Sequence, residues 1–96
     1  KAGLQMASKA LAIEAAEFGI RVNTVCPGAV ETELFRSSID SEPDPAATYE
    51  AARARYALRR IAAPEEIAAA ILWLTSAESS YVTGTAIAVD GGRTFH

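Results

Sequence analysis

Two stretches carry groups on which chemistry could be built. One is Lys1, at the head of "KAGLQMASKALAIEAA". An ammonium offers three donors and a compact positive charge. Taken alone, though, a lysine at a helix end reads as a solvated side chain. The other is Pro27-Gly28-Ala29-Val30-Glu31-Thr32, directly after a β-branched run. Pro-Gly breaks a strand, and open α/β sheets place their ligands beyond the carboxyl ends of strands. Gly28 lets backbone approach a flat ring closely. Thr32 reads as the cap of a short helix, and a cap can also face a ligand. Cys26, on a strand with no histidine nearby in sequence, reads as a small core residue. Arg53, Arg55, Arg59 and Arg60 suit an acidic substrate. They suit solvated helix charges paired with Glu50 or other acids better. One cysteine and the terminal His96 supply no metal-ligand set.

These groups need elements to position them. Leu4, Ala7, Leu11, Ala15 and Phe18 recur at helical spacing over residues 2–18, with Met6, Ala10 and Ile13 widening the apolar surface. A helix so apolar is expected to be buried on more than one side, and Gly19 stops it. "IRVNTVC" is β-branched without clean alternation, as in a parallel strand covered on both faces. Residues 31–60 are less regular and read as a binding loop or lid. Within it, Asp44 before Pro45 predicts a capped helix over 45–58. Leu34, Phe35, Tyr49 and Tyr56 are its candidates for a substrate pocket. "PEEIAAAILWLTS" is the plainest helix, with Glu65 and Glu66 where the macrodipole favours acids and Ile67, Ala70, Ile71 and Leu74 as its buried stripe. Trp73 reads as core or interface. "SSYVTG" turns the chain, with Tyr81 expected to seal the turn, and "TAIAVDGG" is a strand ending in glycines. The order helix, strand, lid helix, helix, strand predicts parallel α/β architecture. Two strands make a poor sheet for this much apolar surface, so the chain reads as part of a larger fold.

The totals bound the class. Ninety-six residues suffice for one domain, and half of them are hydrophobic. A net charge of -3 gives no electrostatic reason to expect nucleic acid. No apolar run approaches the about 20 residues of a membrane-spanning helix. No signal-peptide order is seen, and one cysteine cannot form an internal disulfide, so a reducing cytoplasm is the expected compartment.

Taken together, the segments resemble the C-terminal part of a short-chain dehydrogenase/reductase. The likeness rests on an ordered set: K-A-G near a helix start, G-I-R-V-N, P-G-A-V-E-T, P-E-E-I-A, Y-V-T-G and V-D-G-G. The fold it implies for residues 1–96 is the C-terminal segment of a single Rossmann-type domain with a doubly wound parallel sheet, residues 31–60 forming the substrate lid. In that family the active-site signature is Tyr-x-x-x-Lys, and Lys1 matches its lysine. A tyrosine is then expected four residues upstream, one helical turn away on the same face. A free phenol has a pKa of about 10, and a neighbouring ammonium favours the phenolate that general base catalysis needs. The resemblance also implies that Lys1 bonds the nicotinamide ribose, that main-chain groups near Val30 within Pro27-Gly28 and its continuation hold the carboxamide, and that Thr32 supports the carboxamide or a phosphate. The implied function is hydride transfer between NAD or NADP and a small-molecule secondary alcohol or ketone, with no metal, in a homodimer or homotetramer. A 3-ketoacyl thioester reductase is the alternative within the family. A non-catalytic structural or interaction piece is the alternative outside it, and the isolated 96-residue chain is expected to be inactive.

Overall fold

The structure, a computed structural model, describes residues 2–93. Lys1 and His96 lie outside the described residues. The order is α1 (Ala2–Ala15), β1 (Thr24–Pro27), α2 (Glu33–Asp40), α3 (Pro45–Arg53), α4 (Pro64–Thr75) and β2 (Ala86–Val89), with 3-10 turns at Ala16–Phe18 and Ala77–Ser79. β1 and β2 are neighbours in one parallel sheet. The chain divides into two compact units, one built from the residues up to Cys26 with Ala69–Ala88, the other from Pro27–Ala68 with the residues from Val89.

In the first unit, α1 runs into the 3-10 turn Ala16–Phe18, which ends at a left-handed Gly19 whose N–H bonds Ala16 O. Its small residues Ala12 and Ala15 are buried, whereas Leu4, Met6, Leu11 and Ile13 are exposed, Ile13 at 79%. The expectation of burial on several sides is therefore not met within this chain. Ile71 and Tyr81 correct two further expectations, since both are exposed and only Leu74 of the α4 stripe is buried outright. The predicted strand over 20–26 is shortened because Arg21, Val22 and Asn23 are engaged otherwise. Arg21 donates to Leu74 O at 2.9 Å, Val82 O at 3.0 Å, Ser79 Oγ at 3.2 Å and Ser76 O at 3.3 Å. A guanidinium thus closes the carboxyl end of α4, satisfying carbonyls that a helix leaves without intrahelical partners and opposing the negative end of its dipole. Asn23 donates to Val82 O and accepts from Thr85 N–H, delivering the chain into β2.

In the second unit, Thr32 caps α2 by accepting from Phe35 N–H at 3.1 Å, and Asp44 caps α3 by accepting from Ala47 N–H at 3.2 Å. α3 ends at Arg53, short of the predicted Leu58. Beyond it the chain bonds a glycine corner instead of itself: Ala57 N–H to Gly92 O and Leu58 N–H to Gly91 O, both 3.0 Å. Arg59 then turns with a φ of 57°. Gly92 has a φ of 74°, and a Cβ there would lie 2.8 Å from Ala57 Cβ, so this corner requires glycine. Residues 54–56 still close local turns, and tertiary pairing overrides helix propensity at Ala57 and Leu58.

Candidate functional site

β1 ends at Pro27, and residues 28–32 turn away under a set of backbone restraints. Gly28 N–H bonds Val89 O at 3.2 Å. Val30 and Ala62 form an isolated parallel bridge, made by Ala62 N–H to Ala29 O at 3.2 Å and Glu31 N–H to Ala62 O at 2.8 Å. In such a bridge the central residue contributes neither bond. The N–H and C=O of Val30 therefore point to the opposite edge, where Val30 O accepts from Thr32 N–H at 2.8 Å. Pro27 is exposed, and Gly28 and Val30 are half-buried. The structure thus brings Pro27, Gly28, Val30 and Thr32 together as one short loop beyond a strand's carboxyl end.

Tyr56 lies beneath this loop. Its side chain is among the buried core, at 6% exposure. Its hydroxyl accepts from Ala29 N–H at 3.0 Å, and its ring leaves only 2.9 Å to an added Cβ on Gly28. Arg93 stands 5.8 Å from the ring centroid on Tyr56. Tyr56 supports the loop and is not among the residues that line the cavity between α2 and α3.

That cavity, about 210 Å3, is lined by Phe35, Ile39, Pro45, Ala46 and Tyr49, with Glu31, Arg36 and Asp40 polar. Phe35 and Tyr49 meet edge to face, centroids 6.3 Å apart. Leu34 is 82% exposed and stands outside it. Glu31 is the hub that sequence reading missed. Its carboxylate accepts from Tyr49 Oη at 2.7 Å and from Arg36 at 2.6 Å, joining the loop to α2 and α3. The hydrogen bond to Glu31, then partial burial, hold the Tyr49 phenol above its ordinary 10.0, so it stays a neutral donor. Residues eighteen positions apart gave no local signal for this contact.

Arg53 and Arg60 are engaged as expected of solvated charges. Arg53 pairs with Glu50 at 2.6 Å, lowering that carboxyl below its usual range, chiefly through the hydrogen bond. Arg60 pairs with Glu66 at 2.6 Å, and that bond, followed by the Ala63 N–H, takes Glu66 down to about 2. Cys26 is half-buried and accepts from Gln5 Nε2 at 3.5 Å. Among the described residues no group of three His, Cys, Asp or Glu could hold a metal ion, and no helix is long and apolar enough to cross a membrane.

The donor set of the loop fits a nicotinamide carboxamide. Val30 presents its N–H to an amide's acceptor, and its carbonyl, which already accepts from Thr32 N–H, keeps a second lone pair for an amide's donors. Thr32 Oγ1 is used as an acceptor by Phe35 N–H, which leaves its O–H able to donate.

Comparison with known proteins gives the same direction. The family model described as enoyl-(acyl carrier protein) reductase matches residues 1–94. A 3beta-hydroxysteroid dehydrogenase from Eggerthella lenta is 44% identical over 96 residues, covering 100% of this chain and 35% of the relative. A short chain dehydrogenase family protein from Francisella tularensis superposes with a TM-score of 0.86 at 36% identity, over 95% of this chain and 40% of that one. YwfH, an NADPH dependent reductase involved in bacilysin biosynthesis, superposes with a TM-score of 0.88 at 31% identity, over 99% of this chain and 38% of its own. The chain thus spans little more than a third of the length of the relatives that it matches.

Proposed function

This chain belongs to the short-chain dehydrogenase/reductase family, corresponding to the C-terminal part of its Rossmann-type α/β domain, and we propose that in the complete subunit it serves hydride exchange between NAD or NADP and a secondary alcohol or ketone. The observation that carries the reading is the Val30 peptide, turned outward beyond β1 by a bridge that uses only its neighbours' groups. When bound there, the dinucleotide supplies the hydride acceptor or donor. The chain's own residues then orient it: Val30 N–H and C=O face the carboxamide, Thr32 O–H donates beside them, and Pro27-Gly28 keeps the approach free of side chains. Lys1 holds the nicotinamide ribose and favours the phenolate of a tyrosine one helical turn before it, a role that rests on sequence alone.

The cavity of Phe35 and Tyr49 in the lid takes the apolar body of the substrate. The relative named for a steroid alcohol supports a ring-bearing secondary alcohol. A second reading, reduction of a 3-ketoacyl thioester, is favoured by the acyl-carrier substrate in the matching family's description. The pairing of Arg53 and Arg60 with glutamates weighs against it, since they are not offered to an acidic carrier. The exposed apolar side chains of α1 support the homodimer or homotetramer, and the single Cys26 supports a reducing cytoplasm.

The test is spectrophotometric. The complete subunit, given NAD or NADP with ring and open-chain secondary alcohols, should form reduced nicotinamide. A Lys1→Met variant should lose most of that rate, and residues 1–96 alone should show none. Absence of turnover in either direction, with 3-ketoacyl thioesters included, would refute the enzyme reading and leave the structural one.

A further inference from the structure

Building on the assignment of residues 27–32 to the nicotinamide, we propose that Tyr56 is the positioning residue of that loop, and that its hydroxyl sets affinity for the cofactor without touching it. Three restraints fix the loop, and they differ in kind. Val89 O holds Gly28 N–H, and Ala62 holds the backbone of Ala29 and Glu31. These are peptide contacts that almost any sequence could make. The third is a side chain: Tyr56 Oη accepts the Ala29 N–H at 3.0 Å, one residue before the Val30 peptide that faces the ligand. Without that hydroxyl the Ala29 N–H has a phenyl edge beneath it, and a donor in a half-buried place lacks its acceptor. The peptide then gains by rotating toward water, and the neighbouring Val30 N–H turns with it.

Packing makes Tyr56 a fixed post. It is 6% exposed, its backbone bridges Arg93, and its ring fills the space that the missing side chain of Gly28 leaves. Gly28 and Tyr56 are complementary: an added Cβ would come within 2.9 Å of the ring and 3.2 Å of Asp90 Cα. Tyrosine here therefore does two separable things. The ring sets how low the loop lies, and the hydroxyl sets which way the Ala29 peptide faces. Tyr56→Phe removes only the second.

The experiment compares wild type and Tyr56→Phe in the complete subunit. It reads cofactor Kd by nicotinamide fluorescence, substrate KM, melting temperature and amide hydrogen exchange at Ala29. The expected result is faster exchange at Ala29 and a rise of about three- to tenfold in cofactor Kd, the factor that loss of one such bond carries. Substrate KM and melting temperature should stay close to wild type. Unchanged exchange at Ala29 would overturn the bond itself. Faster exchange with an unchanged Kd would overturn its role in positioning. A substrate KM raised as much as the cofactor Kd, or a large fall in melting temperature, would make Tyr56 merely structural. If wild type binds neither dinucleotide, the functional reading fails with the cofactor role, while exchange at Ala29 still reports whether Tyr56 holds the loop.

Discussion

Tyr49→Phe isolates the contact that fastens α3 to the loop before α2. The phenol donates to Glu31 at 2.7 Å, a short bond to a charged acceptor. Such bonds contribute about 1.5–3 kcal/mol when shielded from water. Tyr49 is only half-buried and the Glu31 side chain is 20% exposed, so a value at or just below the lower limit of that range, about 1–1.5 kcal/mol, is expected. The carboxylate keeps Arg36 at 2.6 Å, so no unpaired charge is left to add a penalty. A loss of that size multiplies local opening of α3 by roughly five to ten. Amide exchange across Pro45–Arg53 should quicken by that factor, and substrate KM should rise with it. A double-mutant cycle with Glu31→Ala, which removes the acceptor, should give a coupling of about 1 kcal/mol. The pH dependence has a defined sign. Because the folded phenol titrates above its ordinary 10.0, its contribution is fully present below that value and disappears as pH rises through the folded pKa. The difference between wild type and Tyr49→Phe should therefore vanish in strong alkali. Coupling below about 0.3 kcal/mol, or unaltered exchange in α3, would refute this account of the contact.

Arg21→Met removes four bonds at the end of α4 and should destabilise the subunit by roughly 2–4 kcal/mol in urea unfolding, with Arg21→Lys recovering less than half because one ammonium cannot span those carbonyls. Glu66 titrates at about 2 when folded, against an ordinary 4.5, so its contribution is complete above 4.5 and is lost as pH falls through about 2. Glu66→Gln should flatten that part of an acid unfolding curve followed by circular dichroism. Gly28→Ala drives a methyl group to 2.9 Å from the Tyr56 ring, and should cost about 1–3 kcal/mol in stability and weaken cofactor binding together. Normal stability in that variant would show that the ring is free to move away.

Much of the frame was legible in the residues. Pro64 with Glu65 and Glu66 announced α4 because proline and acids suit a helix start, and Asp44-Pro45 announced α3 for the same local reasons. Gly19 stops the first helical segment as expected, its last turn being the 3-10 turn Ala16–Phe18 after α1 ends at Ala15. Thr32 announced the short helix Glu33–Asp40 as its cap, but at eight residues, with two serines at its centre, the segment is too short for its apolar face to fix its bounds from sequence. The helix predicted to run to Leu58 stops at Arg53: residues 54–56 close local turns, and the glycine corner claims Ala57 and Leu58.

The sequence by itself determined the order of elements, the turn chemistry at Pro27-Gly28 and the family resemblance, all of which depend on residues close together in the chain. It determined Lys1 as a matched position, and nothing in space. Only the tertiary structure decided that Tyr56 lies under the loop, that Glu31 joins Tyr49 and Arg36, and that Arg21 closes α4. Each of these is a hydrogen bond between groups far apart in the chain. Propensity and periodicity describe how a segment prefers to fold on itself, whereas such bonds depend on where folding brings two segments together.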